Sequence, residues 1–333
     1  MSSAPDYDIV AIGNAIVDII GRCDDAFLEQ HGADKGHMAL VTAERISEIY
    51  GDMAPGIEIS GGSAANTIVG AASLGAKTAY IGKVANDDFG KVFRHDIQAA
   101  GVTYETAPKS GGEATARSLV LVTPDGERTM NTFLGVSPEL TSDDLDPKLI
   151  SSGGILYLEG YLFDRPEAQA AFYEASKIAK DAGRRVALTL SDGFCVDRHR
   201  TAFRELINGP IDILFANETE LFSLAEASDF DAAISSIARH VPLLAATRNA
   251  AGSVIVTNTE TVTIPAATVE TVVDTTGAGD LYAAGVLYGL SNNLPLETCG
   301  QLGSLAASEI ISHIGARPES NLLDLAKEKG LIS

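Results

Sequence analysis

Short apolar runs alternate with longer amphipathic stretches along most of the 333-residue chain. The stretch 165–183 is typical of the amphipathic ones, because apolar residues recur at helical spacing between Pro166 near its start and Gly183 at its end. Strands are predicted at 7–13, 78–82, 155–160, 186–190, 212–216, 242–247 and 253–257, and helices at 63–75, 88–100, 165–183, 199–207, 218–226, 231–239, 279–290 and 296–313. This alternation predicts an α/β fold with a doubly wound, mostly parallel central sheet between helix layers.

One region departs from the alternation. Residues 114–135 read as two strands joined by the turn "TPDGE", which is a hairpin signal. Together with residues 15–45, this hairpin is predicted to form a small β lid over one edge of the main sheet. No linker, repeat or low-complexity run divides the chain, so residues 1–333 are expected to form one domain whose remainder is the α/β core.

Charge and cysteine content narrow the class of partner. The formal net charge of −21 disfavours nucleic acid and anionic membranes, so a small anionic substrate would need local positive charge, backbone amides or a metal ion. Three scattered cysteines, the absence of an apolar leader and the absence of a long apolar run predict a cytoplasmic protein without a membrane span. Neither a P-loop nor a G-x-G-x-x-G turn is present, which disfavours P-loop kinases and dinucleotide dehydrogenases.

The most informative motif is "DTTGAGDLYAAG" at 274–285, where a glycine turn meets an apolar helix. Glycines 277 and 279 would leave backbone N–H groups open to a phosphate at the helix N-terminus. Asp280 would lie beside that phosphate and could accept the proton of an attacking hydroxyl. The alternative is that Asp280 only complements the helix dipole. Residues 281–290 are apolar on every face, which favours the catalytic interpretation, because a carboxylate entering such surroundings is costly unless it is paired or faces a cleft.

Three further motifs are weaker when each is taken alone. Asn14 and Asp18 in "GNAIVD" follow the first strand and suit sugar hydroxyls, but turns and caps also favour both residue types. Gly62, Ser63 and Asn66 in "ISGGSAANT" open a helix of small residues, where the backbone could approach a ligand, but tight helix–strand packing is the favoured explanation when the motif is taken alone. Asn217 and Glu220 in "FANETE" could hold Mg²⁺ through water, although ordinary helix capping is the simpler explanation.

Taken together and in this order, the motifs resemble those of the ribokinase-like (PfkB) carbohydrate and nucleoside kinases, from "IVAIGNAIVD" to "GARPE". The resemblance implies a central sheet with a β lid, and transfer of the ATP γ-phosphoryl group to a substrate hydroxyl. It implies that Asp280 is the catalytic base and that Gly277, Ala278 and Gly279 form the anion hole. It also places Asn217 and Glu220 at the phosphates and Mg²⁺, Thr247 and Gly252 along the ATP site, and Asp274, Thr276 and Gly315 around a monovalent cation such as K⁺.

Within that family, the chain looks most like the adenosine kinases. The likeness implies that Asp18, Gly62, Ser63 and Asn66 bind ribose, that Arg128 in the lid reaches toward the phosphates, that Phe194 covers the adenine of the substrate, and that Ser304 lies beside the adenine of ATP. Asn249 stands where a glycine is usual, and Leu162 where an aromatic residue is frequent. The expected reaction is phosphorylation of adenosine at its 5′-hydroxyl, giving AMP, by a monomer or homodimer. The alternative is a kinase of ribose or a ketohexose.

Overall fold

The computed structural model describes residues 4–333 and contains two sheets in that range. The strands are β1 (Tyr7–Ile12), β2 (Ile16–Arg22), β3 (Met38–Leu40), β4 (Ile57–Gly61), β5 (Thr78–Ile81), β6 (Thr103–Tyr104), β7 (Ala116–Val122), β8 (Arg128–Phe133), β9 (Gly153–Glu159), β10 (Arg185–Thr189), β11 (Ile213–Asn217), β12 (Leu243–Thr247), β13 (Ser253–Thr257) and β14 (Thr261–Ile264). The helices are α1 (Asp25–Gln30), α2 (Ala43–Asp52), α3 (Ser63–Ser73), α4 (Asp88–Ala99), α5 (Pro147–Ser152), α6 (Pro166–Asp181), α7 (Gly193–Asn208), α8 (Glu218–Ala225), α9 (Phe230–Ile237), α10 (Ala278–Ser291), α11 (Leu296–Ile310) and α12 (Leu322–Glu328).

The larger sheet has nine strands in the order β14-β13-β12-β11-β10-β9-β1-β5-β6. The strands from β12 to β6 are parallel, and β13 and β14 complete one edge in antiparallel fashion. Successive residues of β1 enter opposite cores, with Ile9 in the core beneath α3 and α10 and Val10 in the core beneath α6 and α7. Both faces of the sheet are therefore covered, which explains the continuous apolar strands. The predicted fold class is confirmed.

The smaller sheet has five strands in the order β3-β8-β7-β2-β4. The predicted hairpin is present as β7 and β8, joined by residues 123–127. The structure adds β4 to this sheet, which the sequence analysis had not assigned to the accessory sheet. Its partner β2 directly follows β1, so the chain leaves the large sheet, crosses the small one and returns through β4 into α3. That these strands act as a lid remains a prediction.

One predicted helix boundary differs from the structure, and several short helices were not predicted. The helix predicted at 199–207 begins at Gly193, and its backbone leaves helical geometry at His199, where the prediction placed the start. The short helices α1, α2, α5 and α12 had not been predicted, since each offers few turns of periodicity. Among residues 4–333, no helix combines the length and the apolar composition that crossing a membrane requires.

Candidate active site

A cavity of about 580 Å³ lies between the carboxyl ends of the central parallel strands and the underside of the small sheet. Ligands of open α/β sheets bind at this end of the strands. Most of the residues proposed from the sequence line it: Asn14, Asp18, Gly62, Ser63, Asn66, Phe194, Asn217, Glu220, Thr247, Thr276, Gly277, Ala278, Gly279 and Asp280. Arg128, Gly252, Asp274, Ser304 and Gly315 are not among the lining residues. Residues that are up to 266 positions apart in sequence therefore meet around one space.

Asp280 lies in the first turn of α10 and faces the start of α3. Its Oδ1 accepts a hydrogen bond from the Ser63 hydroxyl at 2.6 Å, and its Oδ2 accepts one from the Asn66 amide at 3.0 Å. Burial raises the pKa of Asp280, while these two bonds and the charge of Arg317 lower it. Since nearly all of α10 beyond Asp280 is buried, the rest of that helix has no place for a charge. The carboxylate is thus oriented by two neutral donors and opens onto the cavity.

Gly277 and Gly279, which precede Asp280, are glycines for different physical reasons. Gly277 has a φ of +79°, and an added side chain would also press against Ala316, so the turn itself requires glycine. At Gly279, an added methyl group would meet no atom within 4 Å. Neither packing nor backbone strain explains that glycine. Because Gly279 lines the cavity, its missing side chain leaves space for a ligand at the N-terminus of α10, where backbone N–H groups attract anions.

The two glycines at the start of α3 are explained by close approach. A side chain at Gly61 would lie 2.3 Å from Oδ2 of Asp18, and one at Gly62 would lie 2.2 Å from the carbonyl oxygen of Asn14. Gly62 also has a φ of +100°, which glycine alone adopts without cost. The β4–α3 junction can therefore lie directly against the strand that carries Asp18.

Asp18 and Asn14 differ in their availability to a ligand. In the described part of the chain, no donor is bonded to the Asp18 carboxylate, and burial raises its pKa to about 6, against the opposing charges of Arg317 and Arg128. The Asn14 amide is already engaged, because its Nδ2 donates to Glu159 at 2.7 Å and its Oδ1 accepts from the Ser137 hydroxyl at 2.8 Å. Asp18 can accept hydrogen bonds from the hydroxyl groups of a sugar, whereas the Asn14 amide is hydrogen-bonded to Glu159 and Ser137.

Glu159, at the end of β9, lines the cavity and was not proposed from the sequence. Its two carboxylate oxygens accept from the Asn14 amide and from the backbone N–H of Ala64 at 2.8 Å. Burial raises its pKa to about 7. The available signal was one carboxylate closing the apolar run "ILYLEG". Tyr161 also lines the cavity, whereas Leu162 is buried in the core behind it, so the aromatic ring is one position away from the place that the resemblance implied.

Asn217 and Glu220 form a complete capping box at the start of α8. The Asn217 side chain accepts from the Glu220 N–H at 2.9 Å, and the Glu220 carboxylate accepts from the Asn217 N–H at 3.0 Å. Burial raises the pKa of Glu220 to about 7. In residues 4–333, no group of three or more His, Cys, Asp or Glu side chains could enclose a metal ion. A carboxylate that is held this way and lines the cavity fits a divalent ion that keeps its water shell.

The residues assigned to a monovalent cation do come together, but their carboxylate is occupied. Oδ1 of Asp274 accepts from the N–H of Thr276 and Oδ2 from the N–H of Gly315, each at 3.0 Å. The guanidinium of Arg128 contacts the same Oδ2. A cation placed here would stand beside a guanidinium that already neutralises Asp274. The arrangement therefore does not fit a bound K⁺ while Arg128 stays paired, and Arg128 is directed at Asp274 instead of the cavity.

Gly252 and Ser304, which were expected at the nucleotide site, both lie against backbone atoms of neighbouring segments. Gly252 has a φ of +84°, and a side chain there would lie 2.1 Å from the carbonyl oxygen of Ile264. The Ser304 hydroxyl accepts from the N–H of Ala267 at 2.8 Å and donates to the carbonyl of Pro265 at 3.1 Å. Asn249 has a φ of +48°, which explains both the usual glycine at this position and the tolerance for asparagine.

The pfkB family carbohydrate kinase model matches residues 58–322. An adenosine kinase from Sinorhizobium meliloti is 50% identical and superposes with a TM-score of 0.90, covering 97% of this chain and 99% of that one. A probable sugar kinase protein from Rhizobium etli CFN 42 is 46% identical with a TM-score of 0.92, covering 98% and 100% of the two chains. A fructokinase from Klebsiella pneumoniae is 27% identical, covering 75% of this chain and 87% of its own. The two solved structures thus share the fold of this chain, and the names of the three relatives differ in the substrate they indicate.

Proposed function

We propose, since this chain belongs to the pfkB family of carbohydrate kinases, that it transfers the γ-phosphoryl group of ATP to the 5′-hydroxyl of adenosine, giving AMP. That the chain is an ATP-dependent kinase acting on a small molecule, and that it uses a divalent metal, follows from the family. The adenosine substrate, the identity of the metal as Mg²⁺ and the roles of single residues are the proposal.

The observation that carries the adenosine assignment is the presence of apolar side chains in the cavity lining. Besides the polar Asp18 and Asn66, the lining includes Tyr161, Leu134 and Phe194, and Phe194 is 78% exposed. A large aromatic ring left open to water at a cavity mouth favours a planar apolar partner. A purine base offers such a face, and a free sugar does not. The adenosine kinase from Sinorhizobium meliloti, at 50% identity, supports the same substrate.

The proposed mechanism uses Asp280 as the base. Ser63 and Asn66 hold its carboxylate toward the cavity, where it takes the proton of the acceptor hydroxyl as the hydroxyl oxygen bonds to the γ-phosphorus. The bond from that phosphorus to the β–γ bridging oxygen breaks, and ADP leaves with the electron pair. The backbone N–H groups of 277–279 stabilise negative charge on the transferring group. When bound, the divalent ion supplies further positive charge, and Glu220 would hold it through water.

A sugar kinase is the second candidate. The relatives named fructokinase and probable sugar kinase support it, and so does the carboxylate of Asp18 in the cavity lining, which suits hydroxyl groups. In this case Phe194 would have no partner in the substrate. The small sheet is proposed to act as a lid over either substrate. A cytoplasmic location and a monomeric or dimeric state stay predictions.

A substrate panel tests the assignment. Purified protein is assayed with Mg·ATP and adenosine, other nucleosides, ribose and fructose, and kcat/KM is compared. We expect adenosine to be the best acceptor, and Phe194→Ala to raise the KM for adenosine at least tenfold. The matched control is Tyr173→Ala, which removes another partly exposed ring, from α6, outside the cavity lining. Preference for ribose or fructose would refute the adenosine assignment. Near-full transfer by a folded Asp280→Asn variant would refute the mechanism.

A further inference from the structure

Arg317 lies in the loop between α11 and α12 and reaches a segment about 250 positions earlier in the chain. Its Nε donates to the carbonyl oxygen of Ser60 at 2.8 Å, and its Nη2 donates to the Ser60 hydroxyl at 2.9 Å. Its Nη1 donates to the carbonyl oxygen of Ala65 at 2.6 Å. Ser60 belongs to β4 and Ala65 to the first turn of α3, so one guanidinium binds on both sides of the Gly61–Gly62 junction.

The Gly61–Gly62 junction leads into the first turn of α3, which carries the two donors that orient Asp280. Ser63 and Asn66 follow it directly, and both are bonded to Asp280. Two successive glycines are the most flexible link that a chain can have, so by themselves they would leave the start of α3 poorly fixed. The planar fork of arginine can bind two carbonyl groups at a fixed separation, which the single ammonium of lysine cannot reproduce. The three bonds of Arg317 supply the missing constraint.

The charge of Arg317 has no direct ion-pair partner. Across residues 4–333, no carboxylate oxygen lies within 4.0 Å of its guanidinium, although Asp96, Asp18 and Asp280 act on it at longer range. The largest of these influences comes from Asp96, whose carboxylate accepts from the N–H and the hydroxyl of Ser60, so that Ser60 is bonded to both charged groups. Burial lowers the pKa of Arg317 to about 10, which leaves it charged at neutral pH. The positive charge of Arg317 therefore acts on the cavity carboxylates Asp18 and Asp280 from a distance, without a salt bridge to either.

The groups that face those carboxylates are mostly acidic. The charge of Asp280 raises the pKa of acidic and phenolic groups from several elements, namely Asp18, Glu159, Glu220, Tyr157 and Tyr161. Arg317 lowers the pKa of both Asp280 and Asp18, and Arg128 acts on Asp18 as well. Without Arg317, burial would oppose the ionisation of Asp280, and only the two hydrogen bonds from Ser63 and Asn66 would favour it.

We propose that Arg317 is a positioning residue of the phosphoryl-transfer site, which fixes the start of α3, and with it the two donors to Asp280, through its fork. Its charge in addition favours the ionised form of Asp280. The inference rests on the kinase activity that follows from the family and not on adenosine as the acceptor. It assigns the motif "GARPE" a role in the transfer site through its arginine. A purely structural arginine would tie the C-terminal loop to β4 and have no influence on the protonation of Asp280.

The test compares pH profiles of kcat/KM, measured with whichever acceptor is used best. Arg317→Gln removes the positive charge, so the acidic limb of the pH profile of this variant should lie about one pH unit above that of the wild type. Arg317→Lys keeps the charge and loses the fork, so its acidic limb should stay in place while the KM for the acceptor rises roughly tenfold. The matched control is Arg94→Gln, because Arg94 also donates to two backbone carbonyls, of Tyr104 and Thr106, and lies outside the cavity lining.

Two results would overturn the proposal. One is a folded Arg317→Gln variant whose acidic limb coincides with that of the wild type or of Arg94→Gln. The other is an Arg317→Lys variant with unchanged acceptor KM, which decides the matter even where the glutamine variant does not fold. Because the acceptor is chosen by the substrate panel, failure of the adenosine assignment would leave this test intact.

Discussion

The space beside Gly279 permits a substitution that separates folding from catalysis. Gly279→Ala adds one methyl group in the first turn of α10, at a point where it meets no atom within 4 Å. The backbone there does not need glycine, since its φ lies outside the left-handed region. The methyl group would therefore project into the cavity without disturbing the protein around it, and it would occupy the position that we assign to a phosphate oxygen.

The expected magnitudes have opposite signs for stability and activity. Alanine favours a helix over glycine by up to about 1 kcal/mol, which in a chain of this size raises the melting temperature by roughly 1–2 °C. A phosphoryl group held away from the 277–279 amides should lose about as much as an enzyme that lacks one oxyanion donor, a factor of roughly 100 to 1,000 in kcat. We thus expect a variant that is slightly more stable and nearly inactive.

The assay pairs thermal unfolding with steady-state kinetics, and the chain offers a matched control. Gly51 in α2 also has open space within 4 Å, has no left-handed backbone and lies outside the cavity lining. Gly51→Ala should show a similar rise in melting temperature with unchanged kcat. The reasoning is refuted by a Gly279→Ala variant that keeps kcat within threefold of the wild type. A clear loss of stability in that variant would show that the space is not open.

Three other predictions test separate parts of the site. Replacing K⁺ by tetramethylammonium should leave the activity and the melting temperature of the wild type unchanged, because Arg128 is paired with Asp274. In the Arg128→Met variant, by contrast, K⁺ should raise the melting temperature. A wild-type protein that is stabilised by K⁺ would contradict this prediction. Since the pKa of Glu159 is raised from 4.5 to about 7, its contribution to stability is fully present below pH 4.5 and is lost as pH rises to about 7; this loss is about 3 kcal/mol. Urea unfolding of Glu159→Gln should show a correspondingly shallower decline over that range, and an unchanged slope would argue against a raised pKa. Gly61→Ala places a methyl group against the Asp18 carboxylate and should raise the acceptor KM about tenfold with the KM for ATP unchanged; equal effects on both would refute the assignment of Asp18 to the acceptor.

The parts of the site that were predictable from the sequence are those with a local signature. Asp280 stood out because it was a lone charge between a glycine turn and an apolar helix, and the structure places it at the cavity. Glu159 gave almost no signal, since one carboxylate at the end of an apolar strand has many explanations. Arg317 gave none, because its partners Ser60 and Ala65 lie about 250 positions away and only the folded chain brings them together.

The same distinction holds for the fold. The alternation of apolar strands and amphipathic helices was sufficient to predict seven of the nine strands of the central sheet, because each of them is encoded within its own segment. The edge strands β6 and β14 were not predicted. Strand β4 was missed because its pairing with β2 depends on a partner far along the chain. Its first residues, Ile57 and Glu58, are both exposed, so the segment does not show the alternation of buried and exposed positions that indicates a strand. The pairing of Asp274 with Arg128 likewise depends on how the small sheet sits above the cavity.

The direct passage of β4 into α3, with Gly62 alone between them, limits how this kinase can be re-engineered. A small sheet taken from a relative cannot simply be grafted onto this core, because strand β4 continues into the helix that carries the donors to Asp280. A one-residue error in the β2–β4 register would turn Asp18 to the opposite face of the sheet. Chimeric enzymes with altered acceptors should therefore exchange residues 16–66 as one block, with the junction and its arginine kept from the same parent.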